Sequence, residues 1–156
     1  MTSELAIRFA SPAPDGTYPL TVDGQEVGVF RSPFGAEFAL GVEEWQRAAL
    51  EGLGRTADPA ELCRLLEVLA ELARALTAAG KALYGALFDA NPDLAARLRA
   101  TPPEARLALE FDRGARRLLP LPWEYLTAPD GRRLAARRPL VRRLRLPSPQ
   151  RGEGTG

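Results

Sequence analysis

The stretch RLLPLPWEYLTAPDGRRLAARRPLVRRL, residues 117–144, decides how this chain is read. Trp123 and Glu124 stand directly behind Pro122, and the chain holds only one other tryptophan. A tryptophan flanked by leucines is a core anchor, and the proline can open a single helical turn. A glutamate next to it is costly to bury unless paired. The arginines that follow are its natural partners. The spacing therefore predicts a buried Trp123 and a Glu124–arginine pair that sets the direction of the chain as it enters the next strand. Asp130-Gly131 reads as a turn. Pro139 marks a strand start or an edge strand within RLAARRPLVRRLRL.

Working upstream, RLALEF at 106–111 alternates apolar and polar residues and reads as a strand. Asn91-Pro92 opens a short helix over about 92–100. Before it lies the longest periodic run in the chain. Leu62, Leu65, Leu66, Leu69, Leu72, Ala73, Leu76, Leu83, Tyr84 and Leu87 form one apolar stripe. Asp58 is a good N-cap, Pro59 fits the first helical position, and Glu61 completes a capping-box-like pattern. The helix can reach Phe88, with Gly80 as a weak point. Burial of the stripe within the domain is favoured over packing on another chain. Phe38, Val42, Trp45 and Ala49 predict a further helix over about 36–53. At the N-terminus, LAIRF, YPLTV and QEVGVF, separated by Asp-Gly turns, read as a small antiparallel meander.

The fold class is therefore α+β: N-terminal antiparallel strands, long amphipathic helices, then strands and the LPWE turn. Three regions follow: a strand-rich segment 1–35, a helical segment with later strands 36–146, and a polar, Pro/Gly-rich tail 147–156 expected to be disordered.

Composition excludes several functions. The 156 residues are 46% hydrophobic and 26% charged, as in a globular protein. No histidine is present, which removes Ser-His and Cys-His pairs and histidine metal ligands from this chain. The single cysteine, Cys63, allows no internal disulfide and no cysteine-based zinc site, and it reads as structural. Glu43, Glu44, Glu61 and Glu67 fall opposite the apolar stripes, where solvated charge is expected. The sequence offers no catalytic, cofactor-binding or metal residue, and no cofactor is predicted. No apolar run approaches the ~20 residues of a membrane span, and no secretory signal is evident; a cytoplasmic location is expected.

The net charge of +1 conceals an asymmetry. Residues 113–156 hold 11 arginines against three acids, a net of +8, while the first 112 residues carry 10 basic and 17 acidic groups, a net of −7. Arg137, Arg138, Arg142, Arg143 and Arg145 form the candidate interface, beside Arg132 and Arg133. Nucleic-acid binding is one reading. Tyr125 is the last aromatic, however, so base stacking has no support. Pairing with the acidic part of the chain, or contact with another protein, are the alternatives.

Four segments in order, GKALYGALF (80–88), RLALEF (106–111), LPLPWEYL (119–126) and RPLVRRL (138–144), resemble the opening part of CHAT domains. These are caspase-like cysteine peptidases, often attached to tetratricopeptide repeats. The upstream DGTYPLTVDGQEVGVFRSPF is similar to the strand-rich region that often precedes them, so the resemblance spans about 5–146. Leu121, Pro122, Trp123, Glu124 and Arg142 match the family pattern. The family's catalytic histidine and cysteine come after the Leu-Val-Arg strand, and Cys63 does not correspond to that cysteine. The resemblance thus implies an incomplete caspase-like N-terminal subdomain, inactive alone, that docks to a catalytic half carrying the His/Cys dyad. A role in bacterial defence or signalling follows as an expectation. The strand at about 139–146 should present an unpaired edge, resolved by a partner chain or by self-association into a homo-oligomer. The alternatives are a stand-alone adaptor module and, third, an arginine-rich nucleic-acid binder.

Overall fold

The computed structural model describes residues 3–34 and 58–145, together with isolated positions between 44 and 55. Most of the predicted helix over 36–53 and all of the tail 147–156 lie outside the described residues; Glu44, Arg47, Ala48, Leu50, Glu51 and Gly52, which are described, are helical.

Alternation at the N-terminus produces the three expected strands: β1 (Glu4–Phe9), β2 (Tyr18–Val22) and β3 (Gln25–Phe30). They pair antiparallel as a meander. Asp23-Gly24 closes the second turn with both residues at positive φ, which suits this dipeptide. The meander does not stand alone. β4 (Arg106–Asp112) lies parallel to β1, and β5 (Leu140–Arg145) lies parallel to β4, giving one sheet in the order β3-β2-β1-β4-β5. The strand-rich region and the later strands therefore share a single mixed sheet.

Helix α1 spans Pro59–Tyr84 and continues as a π-turn, Gly85–Asp89. Asp58 caps it by accepting from the Ala60 N–H at 3.1 Å, with Pro59 in the first turn, as the sequence indicates. Its buried residues, Leu72, Leu76, Ala79, Gly80 and Leu83, lie in the C-terminal half, while Leu66 is 57% exposed. α2 spans Pro92–Ala100. Between β4 and β5 the chain runs through three short 3-10 segments, Arg113–Leu118, Trp123–Tyr125 and Leu134–Ala136.

The two sheet faces differ. Leu5, Ile7, Phe9, Leu107, Leu109 and Phe111 point to one side and join Leu83, Leu87, Phe88, Leu94 and Trp123 in a single core. The other side carries Glu4, Arg8, Arg106, Glu110, Asp112, Arg143 and Arg145, bound to one another across the strands. Arg8 makes a two-point bridge to Asp112, at 2.9 and 3.2 Å. Arg143 does the same with Glu4, at 3.0 and 3.1 Å, and approaches Glu110 at 3.5 Å.

Candidate functional site

Trp123 is fully buried and sits among Phe9, Phe30 and Phe111, with ring centroids 5.4, 5.5 and 5.9 Å away. Phe9 also stacks on Phe111 and meets Phe30 edge-on, so one aromatic cluster draws on three strands and the LPWE turn. The buried indole N–H donates to the Leu118 carbonyl at 2.8 Å, which meets the polar requirement of a buried tryptophan. Leu121 is buried beside it, and Pro122 precedes the 3-10 turn as expected.

Glu124 pairs with Arg142, across 18 residues of chain. Arg142 also donates to the Leu119 carbonyl at 2.9 Å, so one guanidinium clamps both ends of the LPWE segment onto β5. The expected Glu124–arginine pair is present, with Arg142 as the arginine. The Glu124 side chain is 54% exposed, because Arg142 comes out to meet it at the rim of the core. No burial penalty falls on the carboxylate, and the pair acts as a positional clip rather than a buried bridge.

Two glycine contacts tighten this joint and the far edge of the sheet. The Tyr125 carbonyl lies where a side chain at Gly80 would begin, and the Thr127 N–H donates to the Gly80 carbonyl at 3.3 Å. Gly80 is thus also the place where the LPWE turn touches the helix backbone. Gly28, at φ +146°, lies under the carboxamide of Asn91. Asn91 holds the N-cap position of α2, yet its side chain does not cap the helix. Instead it accepts from the Val29 N–H at 3.0 Å and donates to the carbonyls of Val29 at 2.9 Å and Leu87 at 2.8 Å. At Val29, therefore, one side chain supplies the pair of hydrogen bonds that a neighbouring strand would offer.

The opposite edge is different. Leu107 donates to the Pro139 carbonyl at 2.8 Å. With the register Leu107↔Leu140, alternation in a parallel ladder turns the N–H groups of Leu140, Arg142 and Leu144 away from β4. Among the described residues no strand pairs with that side of β5. Leu144 is 40% exposed there.

The arginines divide into two groups. Arg142, Arg143 and Arg145 have acidic partners, Glu124 for the first, Glu4 and Glu110 for the second, Glu110 for the third. Arg132 bridges Asp130 at 3.8 Å, and Arg133 lies 4.4 Å from the centre of the Tyr125 ring. Arg137 and Arg138 make no ion pair among the described residues. Arg138 is half-buried, and its Nη1 is shut off from solvent without a hydrogen-bond acceptor. An unsatisfied buried donor of this kind costs about 1–3 kcal/mol. Burial also pulls the Arg138 pKa down, and the nearby Glu104 opposes this.

Arg138 lines a cleft of about 410 Å³, between the end of α2 and the turn around Asp130-Gly131. Arg99, Arg132, Arg133 and Arg137 line it too. Arg99 is the member that sequence reasoning missed, since nothing local links residue 99 to residue 138. Cys63 is exposed on α1. Among the described residues, no three His, Cys, Asp or Glu side chains gather where they could hold a metal ion. No described helix is long and apolar enough to cross a membrane.

Comparison of the chain with protein-family models, curated proteins and solved structures finds no match.

Proposed function

We propose that this chain is the non-catalytic docking part of a caspase-like peptidase of the CHAT type. A segment of the catalytic half, carrying the histidine and cysteine, adds a strand to the open edge of β5. The observation that carries this reading is the asymmetry of the two sheet edges. On β3 the Asn91 carboxamide occupies the N–H and C=O of Val29, whereas no strand pairs with the outer side of β5 among the described residues. A strand at the edge of a sheet, with a row of unpaired backbone groups, is a template for one more strand. The order of the LPWE and Leu-Val-Arg segments supports the family assignment. The lack of any histidine supports the non-catalytic role.

The stand-alone adaptor reading draws on a different surface, the outer half of α1 around the exposed Leu66. Nucleic-acid binding is disfavoured, because Arg142, Arg143 and Arg145 already face carboxylates.

Capture of the tagged chain from the cells that make it, followed by mass spectrometry, tests the proposal. A caspase-like partner containing histidine and cysteine is expected, and the pair should cleave protein substrates. Leu144→Pro removes an outward N–H without touching the β4 ladder, so it should keep the native circular dichroism and cut capture at least ~10-fold. A partner retained equally by the variant overturns edge docking. Capture that contains no such partner overturns the peptidase assignment.

A further inference from the structure

We propose that the cleft between the C-terminal end of α2 and the Asp130-Gly131 turn is a binding site for a phosphate group, carried by a small phosphorylated molecule. Five arginines line it, against one acid, Asp130. Asp130 is occupied with Arg132, and Arg133 is spread on the Tyr125 ring. Arg99, Arg137 and Arg138 remain without an ion-pair partner among the described residues. The Arg138 Nη1 has no acceptor where it lies, closed to solvent, so turning this guanidinium into the cleft to meet a ligand oxygen would gain a hydrogen bond and break none at that atom.

Phosphate suits this arrangement better than a single carboxylate. It presents several acceptor oxygens and up to two charges to donors that converge from different segments. The end of α2 places partial negative charge nearby, but roughly half a charge is small against three unpaired guanidiniums. The buried Leu98 and half-buried Leu134 add an apolar wall, and about 410 Å³ lies within the range of small-molecule sites. A free phosphate ion and a phosphate ester share the anion chemistry; the apolar wall favours the ester. The inference does not depend on docking at β5.

Calorimetric titration of the full chain at low ionic strength, with inorganic phosphate, phenyl phosphate and benzoate, tests it. Phenyl phosphate should bind at one site with Kd below about 1 mM. Arg138→Gln should weaken it at least ~10-fold, and the exposed Arg137→Gln ~3- to 10-fold with folding intact. Arg8→Gln, on the open sheet face, removes the same charge and should leave binding unchanged. A ≥10-fold preference over inorganic phosphate identifies an ester ligand, and equal affinities identify the free ion. Absence of saturable binding by either phosphate overturns the proposal. So does benzoate binding as tightly as phenyl phosphate, or equal affinity in the wild type and both cleft variants.

Discussion

Gly80 lies in the C-terminal half of α1, with the Tyr125 carbonyl against its α-carbon. In an isolated helix, alanine would be better than glycine there by ~1 kcal/mol. Here the added methyl meets a backbone group that cannot rotate away, and overpacking of this kind costs about 1–3 kcal/mol and occasionally more. The two effects oppose, and the clash should win. Gly80→Ala is expected to lower the unfolding free energy measured in urea by a net of up to about 2 kcal/mol, and to shift the Trp123 fluorescence as the LPWE turn moves. A neutral or stabilised variant would mean that the turn is loosely held. Trp123 was readable from its setting of proline and leucines. Gly80 was not, because its reason lies 45 residues later, in the backbone of the segment that Trp123 anchors.

At the scale of elements, local patterns carried a long way. The β1, β2, β3, α1, α2 and β4 segments were visible in their alternation, helical spacing and caps. The 3-10 segment Arg113–Leu118 was not, since six residues with three arginines have no periodicity to read. The parallel pairing of β1 with β4 was hidden as well. It joins residues about a hundred positions apart, and only the shared core face of Leu5, Ile7 and Phe9 with Leu107, Leu109 and Phe111 selects it. Asn91 shows how an element signal can be right while the side chain does something else. It precedes α2, as Asn-Pro suggested, but works on β3. Asn91→Ala should therefore leave α2 in place and cost about 1–3 kcal/mol, by stranding the Leu87 carbonyl and uncovering Val29. It should also promote concentration-dependent association through β3, visible by sedimentation velocity. An Asn91→Ala variant that is as stable and as monodisperse as the parent would remove the edge-capping role.

Across the molecule, the charge asymmetry seen along the chain is offset in part where β5 lies beside the first two thirds of the chain. Arg143 of β5 reaches over β4 to Glu4, and Glu110 serves both Arg143 and Arg145. This is why most of the candidate interface arginines turn inward to the chain's own acids, leaving Arg137 and Arg138 at the cleft. The arrangement has a pH signature. The hydrogen bonds from Arg143 hold the Glu4 carboxyl below its ordinary value of 4.5, against a small opposing effect of burial. The unfolded chain then binds the proton more readily than the folded one. Stability from Glu4 is fully present above pH 4.5 and is lost as pH falls through the lowered folded value. Glu4→Gln should flatten that part of the acid-unfolding profile, and high salt should do so in part. Urea midpoints measured at several pH values below neutrality give the slope directly; an unchanged slope in the variant would place the effect elsewhere.

The two edges of the sheet are also unequal templates. At β3 the Asn91 carboxamide already holds the N–H and C=O of Val29, so a strand arriving there must first displace it. At β5 no strand pairs with the outer side among the described residues. Lengthening of the sheet therefore meets an internal competitor on one side that it does not meet on the other.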